Sequence, residues 1–214
     1  MRSCWTHSAQ SSRDVSAAVT HLLYLHGFRS SPQSAKARQT AAWMQQHRPD
    51  VTWWCPQLPP SPREAMALLH EGLRDWPQGL TRESTGVIGS SLGGFYATAV
   101  AEHIGCRAVL LNPAVDPARD LTRYIGETTA WHSDDRFFFR AEFIDELRAI
   151  TPSALTKLQR YFAVIAKGDE VLSWEEMTAR YRGSRIKLLQ GGDHALSDYD
   201  DYLGEVVSFL GLAG

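Results

Sequence analysis

Cleavage of an acyl group by a serine needs a hydroxyl on an exposed corner, a base to take its proton and a carboxylate to orient that base. It also needs N–H donors for the oxygen that becomes negative. The chain carries side chains of each kind in suggestive settings: Ser91 in Gly89-Ser90-Ser91-Leu92-Gly93, Asp169 in Gly168-Asp169-Glu170, and His194 in Gly191-Gly192-Asp193-His194. The Gly-x-Ser-x-Gly spacing predicts a nucleophile elbow, since small residues two positions either side let a strand turn sharply into a helix. The Leu92 N–H is then left at a helix N-terminus, one candidate donor for an oxyanion. The N–H of Phe28, in the turn His26-Gly27-Phe28, is assigned as the second, with His26 read as structural. Asp169 is the preferred carboxylate. Asp193, adjacent to His194, should point away from its ring, while Glu170 and Asp116 lie near plausible acid positions.

These residues are useful only if the fold brings them together. Apolar runs at His21–Leu25, Val51–Cys55, Thr85–Ile88, Arg107–Leu111, Tyr161–Ala166 and Ile186–Leu189 read as strands. Helical stretches fall between them, at about 34–47, from Ser61-Pro62-Arg63-Glu64 onward, at 92–104, and around 174–181, and a closing amphipathic helix carries Tyr202, Val206, Phe209 and Leu210. Ser61 as N-cap, Pro62 at the first helical position and Glu64 completing a capping box mark one start. Alternation of this kind predicts a parallel sheet covered on both faces, in which ligands gather at the carboxyl ends of the strands. His26, Phe28, Ser91, Asn112, Asp169 and His194 all follow predicted strands. Between Ala114 and Pro152 strand signals disappear, and Tyr124, Trp131, Phe137, Phe138, Phe139 and Phe143 mix with charges. That stretch is expected to be a small helical cap, its aromatics divided between core packing and a pocket.

With 214 residues, 43% hydrophobic and 21% charged, the chain fits one globular domain. A net charge of −2 gives no electrostatic footprint for nucleic acid or an anionic membrane. Cys4, Cys55 and Cys106 have neither metal nor redox spacing, which suits a reducing compartment. With no continuous apolar run near the start, a cytoplasmic location is expected and residues 1–20 read as a loose extension. No cofactor and no metal are expected: there is no phosphate-binding glycine loop, and His26, Asp193 and His194 lack a His-x-x-x-His or Cys-x-x-Cys pairing.

The order Ser, Asp, His is that of α/β-hydrolases. His26-Gly27-Phe28-x-Ser30-Ser31, Gly89-Ser90-Ser91-Leu92-Gly93-Gly94, Asn112-Pro113-Ala114-Val115, Gly168-Asp169-Glu170-Val171-Leu172 and Gly191-Gly192-Asp193-His194 together resemble the YqiA/YcfP-type small bacterial esterases of that superfamily. The resemblance covers about residues 22–210. It implies a compact single-domain α/β-hydrolase at 21–212 with a cap-like insertion at 114–152, a triad of Ser91, Asp169 and His194, and oxyanion donors at Phe28 and Leu92. It implies a small-molecule acyl ester or acyl-CoA thioester as substrate. A non-catalytic module on the same shell and a serine hydrolase of another class, such as a peptidase, are the alternatives. Ala195-Leu196 departs from the Ser-Phe-like continuation of the family, a change expected to touch the pocket wall.

Overall fold

Every second residue of the central strands faces the same side of the sheet, and the apolar character of both sets dictates a layer on each face. The computed structural model describes residues 19–76, 82–129 and 136–213; the segment 1–18, with Trp5, lies outside them. Strands β1 (His21–Leu25), β2 (Thr52–Trp54), β3 (Thr85–Ser90), β4 (Arg107–Leu111), β7 (Tyr161–Ala166) and β8 (Arg185–Leu189) form a six-stranded parallel sheet in the order β2-β1-β3-β4-β7-β8. Leu23, Leu25, Val87, Leu110, Ala163 and Ile165 face helices α2 (Pro62–Asp75), α3 (Leu92–Ile104) and α6 (Trp174–Arg180). Their neighbours Leu22, Tyr24, Ile88, Val109, Phe162 and Val164 face α1 (Ala35–His47) and α7 (Asp200–Phe209). Each fully buried Leu, Ile or Phe contributes about 1.5–3 kcal/mol, so these two layers supply the main driving force. Val19, in the stretch expected to be loose, is already 1% exposed and joins the α1/α7 layer.

The chain runs outward from β1 to β2, then crosses back to β3 on the other side of β1 and continues outward through β4, β7 and β8. The reversal of winding between β1 and β3 opens a crevice at their carboxyl ends, where the first and third loops meet.

The stretch 114–152 differs from the expectation of a purely helical cap. After α4 (Pro117–Asp120) and a 3₁₀ turn (Thr122–Tyr124) it forms an antiparallel pair, β5 (Gly126–Thr129) and β6 (Arg136–Phe139), followed by α5 (Glu142–Ile150). Four-residue strands, one of them Arg-Phe-Phe-Phe, are too short to display an alternating pattern. Phe139 and Phe143 are buried, whereas Phe138 is 61% exposed; Trp131 lies outside the described residues. The helix at Pro62 starts as its sequence dictates, the Ser61 hydroxyl accepting the Glu64 N–H at 3.2 Å. The carboxylate bound at this helix start is that of Glu146 on α5 rather than the expected Glu64, and it accepts from the Ser61 hydroxyl at 2.7 Å and the Arg63 N–H at 3.1 Å. Glu146 thus fastens α5 to the start of α2.

Candidate active site

Three glycines allow the corner at Ser91. A Cβ on Gly89 would stand 2.2 Å from the Gly93 carbonyl oxygen, one on Gly93 2.0 Å from that of Leu25, and one on Gly94 2.7 Å from Pro113 Cβ. Helix α3 can therefore press against β1 and β4 only where side chains are missing. Ser91 takes φ 56° and ψ −120°, a conformation costly for any residue with a Cβ. It is held there by its N–H donating to Leu111 O at 2.9 Å and its carbonyl accepting from Gly94 at 2.9 Å and Ala114 at 3.0 Å.

The structure brings Ser91, His194 and Asp169 into one hydrogen-bonded chain. Ser91 Oγ lies 3.0 Å from His194 Nε2, and His194 Nδ1 lies 2.8 Å from Asp169 Oδ2. The Asp169 side chain is fully buried, and its other oxygen accepts the N–H groups of Val171 and Leu172, both at 2.8 Å. An acceptor-only carboxylate fixes the tautomer: Nδ1 carries the proton and Nε2 presents its lone pair to the serine hydroxyl.

The competing carboxylates are engaged elsewhere. Asp193 accepts from Ser197 N at 2.9 Å and Ser197 Oγ at 2.6 Å, bonds that hold its carboxyl below the usual range. Asp116 caps α4 by accepting the Arg119 N–H at 3.2 Å. Glu170 binds the histidine's backbone, accepting the His194 N–H at 3.0 Å.

Of the expected N–H donors, Leu92 opens α3, and among the described residues its amide has no backbone acceptor. The turn carrying Phe28 lies over the serine, since a Cβ on Gly27 would be 3.3 Å from Ser91 Cβ. His26 anchors that turn. It is 3% exposed, its Nδ1–H donates to Gly27 O at 3.0 Å, and its Nε2 accepts the Leu58 N–H at 3.1 Å. Burial lowers its pKa and favours this neutral form. The Phe28 ring is gripped from the 114–152 stretch, 5.3 Å from Tyr124 and 5.3 Å edge-on from Phe139.

Sequence reasoning placed Asn112 at a strand end without giving it a task, and it did not single out Lys36. Asn112 is fully buried and bonds to the loop of His194. The Lys36 ammonium of α1 donates to Ala195 O, and burial lowers its pKa to about 8. Leu196, expected near a pocket wall, turns into the α1/α7 layer at φ 50° and is 1% exposed. Two cavities of about 290 and 630 Å³ lie against α2 and α5, and none of Ser91, Asp169 and His194 lines them.

Residues 21–211 match the model of a family described as Uncharacterised protein family (UPF0227). The chain belongs to UPF0227. That is the YqiA/YcfP group which its motifs resemble. Among solved structures, this UPF0227 chain is similar to Est1E from Butyrivibrio proteoclasticus with ferulic acid bound, at TM-score 0.62 and 14% identity, over 89% of this chain and 87% of that one. It is also similar to alpha/beta hydrolase domain-containing protein 10 from mouse, at TM-score 0.59 and 15% identity, over 87% and 90% of the two chains. The esterase Pf2001 of Pyrococcus furiosus matches at TM-score 0.58 and 14% identity, over 91% and 83%. Likeness at such identities shows that this chain has the α/β-hydrolase fold. Among the described residues no helix is long and apolar enough to cross a membrane.

Proposed function

We propose that this protein is a serine hydrolase that cleaves carboxylic esters or acyl-CoA thioesters through an acyl-enzyme on Ser91, with His194 as base, Asp169 as its orienting carboxylate, and the Phe28 and Leu92 amides as oxyanion donors. The observation that carries this reading is the chain from Ser91 Oγ through His194 to the buried Asp169, with bonds of 3.0 and 2.8 Å. His194 Nε2 takes the serine proton as Oγ bonds to the acyl carbon, and the carbonyl electron pair moves onto oxygen, where the amides stabilise it. Collapse of that intermediate breaks the bond to the alcohol or thiol, which leaves with the proton from His194. Water, deprotonated by the same nitrogen, then attacks the acyl carbon, and Ser91 recovers its proton as the acid departs. Asp169 keeps the ring oriented and stabilises the imidazolium. The 114–152 stretch, through Tyr124 and Phe139 against Phe28, is assigned to the wall beside the acyl group. A cytoplasmic setting is supported by Cys55 and Cys106, which are free thiols.

The test is hydrolysis of esters and acyl-CoA thioesters of increasing chain length by the wild type and Ser91→Ala, with fluorophosphonate labelling of both. The wild type should turn over and label at Ser91, and Ser91→Ala should fold normally while kcat drops by about a million-fold. Equal turnover by the variant would refute the assignment of Ser91. Absence of both turnover and labelling in the wild type would refute the hydrolase reading.

A further inference from the structure

His194 sits on a loop with little regular backbone pairing of its own. What grips it is a set of side chains from elsewhere: the Glu170 carboxylate on the His194 N–H, the Lys36 ammonium on the Ala195 carbonyl, and Asn112 on two carbonyls. Glu170 ties that loop to the residue after the acid, and Asn112 ties it to the strand before the acid. Its Nδ2 donates to Asp193 O at 3.0 Å and His194 O at 3.3 Å, while its Oδ1 accepts the Ala166 N–H at 2.8 Å. Ala166 ends β7, three residues before Asp169. The Asn112 backbone is fixed too, its N–H donating to Val164 O at 2.9 Å and its φ at 42°, a left-handed conformation that asparagine tolerates better than most residues. One fully buried amide therefore spans the loop of the histidine and the strand leading to its carboxylate, with both N–H groups and the oxygen engaged.

We propose that Asn112 is a positioning residue that sets the separation of His194 from Asp169. This rests on the serine-hydrolase reading for its catalytic consequence, but its geometric content stands apart from turnover. A polar group able to make all three bonds is needed at this position. An apolar residue would leave the Ala166 N–H unpaired in the interior and take one partner from the Asp193 carbonyl, which keeps the Leu196 N–H at 3.1 Å, and the bond to the His194 carbonyl would be lost, so the loop would relax away from the acid. Aspartate would keep an oxygen for Ala166 yet turn a second oxygen toward two carbonyls.

The decisive variants are Asn112→Asp and Asn112→Ala, compared with the wild type and with Asp169→Ala. The readout is the far-downfield proton resonance of an imidazole N–H bonded to a carboxylate, which should be present in the wild type and absent from Asp169→Ala. In folded Asn112→Asp and Asn112→Ala it should shift or broaden, kcat should fall by about 100-fold, as a displacement near 1 Å at a reacting group costs, and KM should stay within twofold. An unshifted resonance with kcat within twofold, in variants that fold, would overturn the proposal. Should neither variant fold, the ¹⁵N-labelled wild type decides: both Asn112 Nδ2 protons must exchange slowly with solvent, and rapid exchange of either refutes the bridge. A wild type that shows the resonance but cleaves no substrate would refute the proposed function and leave this geometry intact.

Discussion

Substitution of Gly93 by alanine tests how the serine corner is built. The added Cβ would lie 2.0 Å from the Leu25 carbonyl oxygen, 2.5 Å from its carbon and 2.7 Å from His26 O, all inside the 3.0 Å that real Cβ atoms keep and the first by 1.0 Å. The obstacle cannot swing aside, because Leu25 is backbone in β1 and is paired with Gly89 of β3. Helix α3 must back away from the sheet, taking with it the Leu92 N–H one residue earlier. Overpacking against rigid backbone should cost about 3 kcal/mol, and at about 2–4 °C per kcal/mol for a chain of this size Tm should fall by about 6–12 °C. Fluorophosphonate labelling of whatever stays folded should slow by about 100-fold or more, because the hydroxyl and the amide shift relative to each other. Gly204→Ala is the internal control. It lies on the exposed face of α7 with nothing within 4 Å of its added Cβ, so the same change should stabilise by about 0.5–1 kcal/mol. Unchanged Tm and labelling in Gly93→Ala would refute the close approach of α3 to β1 and the account of the elbow built on it.

Two further perturbations address more distant contacts. Glu146→Ala removes the acceptor shared by the Ser61 hydroxyl and the Arg63 N–H and should lower stability in urea by about 1–2 kcal/mol; an unmoved midpoint would mean that α5 is not fastened to α2 in this way. Lys36, whose pKa burial lowers to about 8 from 10.5, should make the fold gain stability as pH rises between those two values. In that window the unfolded chain holds the proton and the folded chain has released it. Lys36→Met should abolish that part of the slope in Tm against pH, and identical slopes would refute the lowered pKa.

The strands and the elbow were legible because each is written locally. Tyr161–Ala166 is apolar throughout, and Gly89, Gly93 and Gly94 mark a turn that only glycine allows. The chain order of Ser91, Asp169 and His194, read with strand-end placement, was enough to anticipate which three side chains meet. The contacts that hold those side chains in place could not be read the same way, because each joins positions far apart in sequence. Nothing around Ser61 shows that its hydroxyl donates to a carboxylate 85 residues later, and nothing around Asn112 shows that its amide reaches residues 193 and 194. The β5–β6 pair escaped for another reason: short strands carrying a run of aromatics have no period to read. Among the described residues, the positive φ angles of Arg29 and Leu196 also carry no local mark, being conformations imposed by the neighbouring packing.

The position of α7 has a consequence for the order in which the molecule can be completed during synthesis. This last helix covers the outward face of the first strand. Thr40 Oγ1 meets Tyr199 OH at 3.0 Å across 159 positions, Arg48 donates to Leu212 O at 3.2 Å, and Leu210 lies against Gly86 of β3. Until that helix has emerged, Leu22, Tyr24 and Ile88 have no cover on their α7 side, and closing so long a loop is slow. His194 arrives on the same stretch of chain as the helix. Because His194 is made just ahead of that helix, the Ser91–His194 pair can form on a nascent molecule only once all six strands of the sheet have been synthesised.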